Sequence, residues 1–524
     1  VLLISFWLLA VVLCRAELLV ERVSDLNPGY MGSYPKDLRV FNGTLFFSAT
    51  TQTTGRELWK YDGQQIALVS NINDAVSTDL EGNVIGADSS PGEFAEFNGS
   101  LFFSAFDARR GAELWRTDGT NCSRAADINP DADDLPKTDP ASSWPKELTV
   151  VGGEMFFPAN NSTSKENFEL WKFDGATASL ATNIHPNSGS SHSSYPSGLT
   201  ELNGFLFFSA NDGANGYELW KHDGTRALLL SINPGSSHAY PKLFTSFESA
   251  LYFQAQHSTY GTELWKTDGT TVSLVTNLAP GNAGSNPEEM AVFNGALYFR
   301  ATGPVGGSEL WRFDGITATP AAEVNSTGDA YPKSLTVCGN RLYFAADDGV
   351  HGWELWACDG TNAWLVSDLN PSGDSFPEKL TAFGGALYFV ATTPETGYEL
   401  WRCDGTNISL AADINLGSPP SYPENLTVYG NRLCFSATED GLSNWELWSL
   451  IEEIRPPTLT GAWQGENGFS LQLSGEPLRS YTIEVSTNLT EWTTNTVKST
   501  DGEGQLNHID EGAIGQPVRF YRAW

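Results

Sequence analysis

The sequence is poor in positive charge. Thirty Lys and Arg stand against 63 Asp and Glu, a formal net charge of −33. A surface that acidic repels phosphate backbones and anionic lipid, which argues against nucleic-acid binding. Cysteine is scarce, with six residues in 524. Cys122, Cys338, Cys358, Cys403 and Cys434 lie beyond the first 16 residues, and five cannot pair completely within one chain. None shows the C-x-x-C spacing of a metal site, so small buried or half-buried hydrophobes are the plain reading. No apolar run beyond residue 16 is long enough for a membrane-spanning helix. A sustained 3.6-residue apolar period is also missing, so helix is expected to be scarce. There is no Ser-His-Asp order, no Gly-rich phosphate loop after a strand and no H-E-x-x-H. A glycosidase-like carboxylate pair stays open, because sequence does not measure separation.

What is present is repetition. Glu-Leu-Trp occurs nine times, with its Trp at 59, 115, 171, 220, 265, 311, 356, 401 and 448. The spacing runs from 45 to 56 residues, the mark of a repeat array, solenoid or propeller. Residues 377–416 read as one unit: four short strands, a Gly-Gly hairpin turn, a loop, and an Asp-Gly-Thr turn. Asn-Gly, Gly-Gly or Gly-Asn fills the first turn in eight repeats, and Glu248-Ser249 is the exception. Such pairs supply the positive φ of a tight hairpin. Four residues before each Trp stands Gly, or Asn at Asn167 and Asn444, which predicts a left-handed bend. The last repeat, "NWELWSLIEEI", has no fourth strand, while "ELLVERVSDLNP" near the N-terminus is a fourth strand without a repeat. Pairing the two closes a ring and removes its edges. The expected fold is therefore all-β: a nine-bladed β-propeller of four-stranded antiparallel blades, closed by the N-terminal strand. Two smaller arrays are the alternative.

With nine copies in view, eight carrying Asp-Gly at the same offset, residues 17–450 resemble the bacterial secreted proteins with ELWxxDGT repeats. That group is defined by its repeat, so the resemblance implies a fold and a secreted location but no reaction. "LLISFWLLAVVLCRA" fits a secretory leader over 1–16. The propeller then covers 17–453, "IRPP" at 454–457 is a linker, and 458–524 a small β-sandwich. Its "YTIEVSTNLTEWT" and "RFYRAW" resemble C-terminal fibronectin-like modules. Within the repeat, Leu and Trp read as packing between blades. The nine Glu are expected to accept backbone N–H groups or a Lys or Arg. The Asp of Asp-Gly-Thr is expected to cap its own turn.

Function is sought where the repeats differ. From the end of each fourth strand to the next Pro, three consecutive connections are long: 72–91, 128–145 and 184–196, at 19, 17 and 12 residues against 8 or 9 elsewhere. Long loops on a rigid scaffold are where binding tends to sit. In the second, Asp127, Asn129, Asp131 and Asp133 alternate as calcium ligands do, with a solvated acidic loop as the plainer reading. The third offers His185 and His192, otherwise polar surface. The residue before the opening Pro is aromatic in seven repeats, among them Trp144, Tyr195, Tyr240 and Tyr331. These rings either line the channel mouth or pack under neighbouring loops. The expectation is a secreted or cell-surface, monomeric scaffold for binding or adhesion. Its ligand would be a polysaccharide or surface protein, with calcium as the one candidate cofactor. A glycan-active hydrolase or lyase on the loop face is the alternative.

Overall fold

The computed structural model describes residues 17–28, 31–129, 140–161, 167–186, 193–304, 307–453, 458–463, 469–475, 480–487, 490–500, 505–513 and 520–523. The expected leader and linker lie outside these residues. By compactness the chain divides into Glu21–Ser449 and a unit that takes in Leu450–Trp524.

The fold is all-β. Among the described residues there is no α-helix, only a single 3-10 turn at Glu511–Ala513, and no helix could cross a membrane. Nine four-stranded sheets carry the repeats, consistent with a β-propeller. Eight are meanders in chain order; the first uses Lys36–Phe41, Thr44–Thr51, Gly55–Tyr61 and Ile66–Ser70. Local chemistry accounts for each corner. Asn42 and Gly43 sit at φ 47° and 72°, the mirror-image turn a two-residue hairpin needs. Glu248 takes φ 53° in the same slot without being Gly or Asn. At the third turn, Asp62 Oδ1 accepts the N–H groups of Gln64 and Gln65, both at 2.8 Å. Asp118, Asp174, Asp223, Asp268, Asp314, Asp359 and Asp404 do the same in their own turns, as the sequence predicts.

The bend four residues before Trp is left-handed at Gly55, Gly111, Gly216, Gly261, Gly352 and Gly397. It is not at Asn444, which corrects the expectation there. Asn444 is held by another bond, its N–H to Asp440 Oδ1 at 3.2 Å. Glycine has a second reason to be in this slot. A Cβ on Gly397 would stand 2.7 Å from the Ser418 carbonyl oxygen, because the next connection passes directly over it.

The first strand of every sheet touches the first strand of the next, and Glu424–Tyr429 of the ninth touches Lys36–Phe41 of the first. The ninth sheet places Glu17–Arg22 beside Trp445–Glu453 as its fourth strand. Val23 N–H donates to Leu447 O at 2.8 Å, and Arg432 Nη1 meets Glu21 Oε1 at 2.7 Å. The core lies between sheets. Leu45, Phe47, Ala49 and Tyr61 of the first pack with Tyr429, Cys434 and Leu447 of the ninth. Each large buried ring contributes roughly 1.5–3 kcal/mol. Cys338, Cys358, Cys403 and Cys434 are buried free thiols in such clusters. Separately, the C-terminal unit holds two three-stranded sheets with a core of Leu471, Leu473, Tyr481, Ile483 and Leu506.

Candidate functional site

The repeated Glu ties one sheet to the next. Glu57 accepts the N–H groups of Ile72 and Asn73, at 2.8 and 3.1 Å, where the fourth strand ends. It also accepts the Ser89 hydroxyl at 2.6 Å, two residues before the Pro that opens the second sheet. Ser33, Ser143, Ser194, Ser285, Ser375 and Ser421 make the same bond to their own Glu. The partners are thus backbone amides and a hydroxyl, with no Lys or Arg. Ala239 and Ala330 replace the Ser beside Glu218 and Glu309. Burial pushes Glu57, Glu218, Glu309 and Glu399 up to about 7, and Glu113, with Asp127 nearby, up to about 8. Nine such carboxyls spread over nine sheets are architecture.

The residue between that Ser and the Pro has positive φ in all nine sheets, 45° to 50°. Its N–H donates to the carbonyl of the residue before the previous sheet's Glu, as Tyr240 does to Tyr217 at 3.2 Å. A non-glycine residue with positive φ is uncommon, and nine in register form a strained rim. The strain fixes where the aromatic rings stand. Tyr240 stacks on Tyr217 at 5.2 Å and on His238 at 4.9 Å. Tyr195 stacks on Phe168 at 6.1 Å, and Tyr422 on Tyr398 at 5.7 Å. Trp144 keeps 54% of its surface exposed, and Tyr331 O–H donates to Asp329 at 3.0 Å. Tyr195, Tyr240 and Tyr422 thus stack on rings of the preceding sheet, while Trp144, Tyr240, Tyr331 and Tyr422 are exposed.

The connection 72–91 is not an open loop. Val76–Thr78 and Val84–Gly86 pair as an antiparallel hairpin. Asp79 closes its tip by accepting the N–H groups of Glu81 and Asn83, at 2.9 and 2.8 Å. Gly86 N–H donates to Gln52 O at 3.0 Å, and Arg56 N–H to Asp88 Oδ1 at 2.6 Å, anchoring the hairpin to the first sheet. Gly86 and Gly55 are required here: a Cβ on Gly86 would collide with the backbone of Thr54, and one on Gly55 with that of Ala87. Between the hairpin, residues 50–55 and Asn27, Pro28 and Met31 lies a cleft of about 700 Å³. Asn27, Met31, Gln52, Asp79, Ile85 and Asp88 are among its lining residues. A smaller cavity of about 480 Å³ lies along the first strands, by Glu93, Glu147 and Phe244. There Glu93 accepts the Glu147 N–H at 2.7 Å and Glu147 the Leu199 N–H at 3.1 Å, a clasp between neighbouring sheets.

The other predicted residues fare differently. Asp127 pairs with Arg110 at 3.3 Å, and Asn129 donates to Ser142 O at 3.2 Å. Both are thus engaged in holding the loop base. Asp131, Asp133 and His192 lie outside the described residues. His185 packs on Gly213, where a Cβ would meet its ring. Among the described residues no group of three His, Cys, Asp or Glu could hold a metal ion. His351 Nδ1 lies 2.7 Å from Asp348 Oδ2, but Asp348 is a turn cap like Asp212 with Asn215. Sequence reasoning missed two features. The Ser that meets the Glu in seven repeats was visible there as Ser-x-Pro. The hairpin left only its length as a signal.

No protein-family model matches the chain, and no curated protein matches it. Solved structures do. A puromycin-hydrolysing peptidase of Mycobacterium tuberculosis is 12% identical, with TM-score 0.35, over 70% of this chain and 60% of its own. A structure from a study of two prolyl endopeptidases gives 11%, 0.38, 87% and 56%. An acylaminoacyl peptidase of Pyrococcus horikoshii gives 10%, 0.35, 85% and 57%. The chain spans less than two thirds of the length of each. These three neighbours are peptidases, which runs against the expectation of a non-catalytic extracellular scaffold. A xyloglucanase of Xanthomonas campestris also matches, at 10%, 0.26, 83% and 81%, so the glycan-active alternative is not overturned. At these identities and TM-scores the likeness concerns fold, and no activity passes to this chain.

Proposed function

We propose that the nine sheets form one nine-bladed β-propeller closed by the N-terminal strand, of the ELWxxDGT-repeat kind, followed by a small β-sandwich. The cyclic succession of first-strand contacts and the shared core of the ninth and first sheets support the ring. We further propose that its closure sector engages polypeptide in an extended conformation. The observation that carries this is the cleft beneath the hairpin. Its walls combine apolar side chains, Met31 and Ile85, with carboxylates, Asp79 and Asp88, and with backbone at Gly86 and Ala87. An extended peptide offers the matching mixture of main-chain groups and alternating side chains. The test is photo-crosslinking from a benzophenone side chain at Gln52, beside the cleft, or at Gln64, at the other end of the same sheet. The bait is reduced, carbamidomethylated lysozyme, an unfolded polypeptide. Crosslinks from position 52 and none from 64 are expected. Equal yields from both, or none, would refute the assignment.

A further inference from the structure

The hairpin has one edge tied down and one edge open. Ala87 N–H donates to Ala75 O, and Asp79 N–H to Asn83 O, both at 3.0 Å. With the register Val76↔Gly86, Ser77↔Ile85, Thr78↔Val84, the bonded pairs are 75–87, 77–85 and 79–83. The N–H and C=O groups of Val76 and Thr78 therefore point away from their partner strand. On the inner strand, the Gly86 N–H that points away is taken by Gln52 O. Among the described residues, Val76–Thr78 pairs with no strand but Val84–Gly86. All three of its residues are exposed, Val76 at 65%. Natural edges are usually blunted by shortness, Lys, Pro or a bulge; this one is short, at three residues, but carries no Lys, Pro or bulge.

Chemistry narrows what can cover it. Residues 74–88, "DAVSTDLEGNVIGAD", carry Asp74, Asp79, Glu81 and Asp88 and no Lys, Arg or His. Arg109 meets Asp74 at 3.2 Å and the Arg56 charge lies close to Asp88, which leaves Asp79 and Glu81 to set the local field. A second copy of the chain, with net charge −33, would be repelled from such an edge. Val76, Leu80 and Val84 add exposed apolar side chains beside it. We propose that Val76–Thr78 is a strand-addition site for a basic polypeptide segment, which joins the hairpin as its third strand. The segment's alternate apolar side chains lie with Val76 and Val84, and its cationic side chains face the hairpin carboxylates. This rests on the reading that the closure sector engages polypeptide, and gives it a mode and a charge.

Fluorescence anisotropy tests it on the full chain. Three labelled 12-residue probes are used: (Lys-Thr-Val-Thr)₃, (Glu-Thr-Val-Thr)₃, and the basic sequence N-methylated at every residue. The first is expected to bind saturably and the second not at all. The third keeps every charge but has no N–H to donate, and binding is expected to weaken at least about tenfold. Thr78→Pro removes one outward N–H and none of the hairpin's own bonds, and is expected to weaken the first probe to a similar degree. Undiminished binding of the N-methylated probe would mean that charge alone attracts it, and would overturn strand addition. The crosslink from Gln52 would survive that failure. If the first probe does not bind, strand addition is overturned as well, while crosslinking decides separately whether polypeptide is engaged.

Discussion

A buried carboxyl in each of nine sheets makes this molecule's stability a matter of protons. Glu354 illustrates the balance: Ser375 donates its hydroxyl at 2.6 Å and its N–H at 3.1 Å, and burial still raises the carboxyl above its ordinary value. Removing the hydroxyl leaves a buried acceptor short of a donor, so Ser375→Ala is expected to cost roughly 1–3 kcal/mol in urea unfolding. The pH dependence follows from the same groups. Above about 4.5, the ordinary value, an unfolded Glu sheds its proton, while folded Glu57, Glu218, Glu309 and Glu399 keep theirs to about 7. The folded state then holds more protons, and stability falls as pH rises through that window. The turn-capping Asp62, Asp174 and Asp359 are held below their ordinary 3.8, so their contribution is present above 3.8 and lost as pH drops further. The urea midpoint is therefore expected to be highest near pH 4 and to decline toward pH 8. Glu218→Gln is expected to flatten part of that decline. A midpoint that rises from pH 4.5 to 8 would contradict this reading.

At the scale of the element, the repeat's corners are set by backbone geometry. Gly43 and Gly397 both have positive φ, 72° and 65°, but only the second lies under a neighbouring backbone. Gly43→Ala is expected to cost about 1 kcal/mol for the conformation alone. Gly397→Ala adds the collision with Ser418 and is expected to cost roughly 3 kcal/mol, read as a difference in unfolding midpoint. Much of this scale was legible in the sequence. Asn-Gly and Gly-Gly pairs, the Asp-Gly-Thr caps and the period of the Trp each have a local physical cause, so the residues alone announce them. The hairpin did not announce itself. Its strands are three residues each, too short for an alternating pattern, and its anchor is a carbonyl of Gln52, which no side chain encodes. The bend at Asn444 was misread because a side-chain bond, from Asp440, replaced the left-handed backbone.

For the whole molecule, the pairing of the N-terminal strand with the ninth sheet is what gathers a site. That sheet takes its last strand from Glu17–Arg22, and Lys36–Phe41 then opens the first sheet. Asn27, Pro28 and Met31, between these strands, line the cleft with residues of 50–55 and the hairpin. The missing fourth strand made the pairing of the N-terminal strand with the ninth sheet readable from sequence. The cleft was not readable, because it joins three stretches through backbone contacts and only the loop's length stood out. Calcium was expected from alternating acids; of these, Asp127 and Asn129 hold the loop's own base, and Asp131 and Asp133 lie outside the described residues. The central claim is that polypeptide is engaged where the ring closes. Hydrogen exchange of the full chain, with and without reduced, carbamidomethylated lysozyme, tests it most directly. The account predicts slowed exchange at 50–55 and 74–88, lost when 75–87 is replaced by a short Gly-Ser link that leaves the unfolding midpoint unchanged. Unchanged exchange there, or protection confined to the opposite face around Gln64, would contradict it.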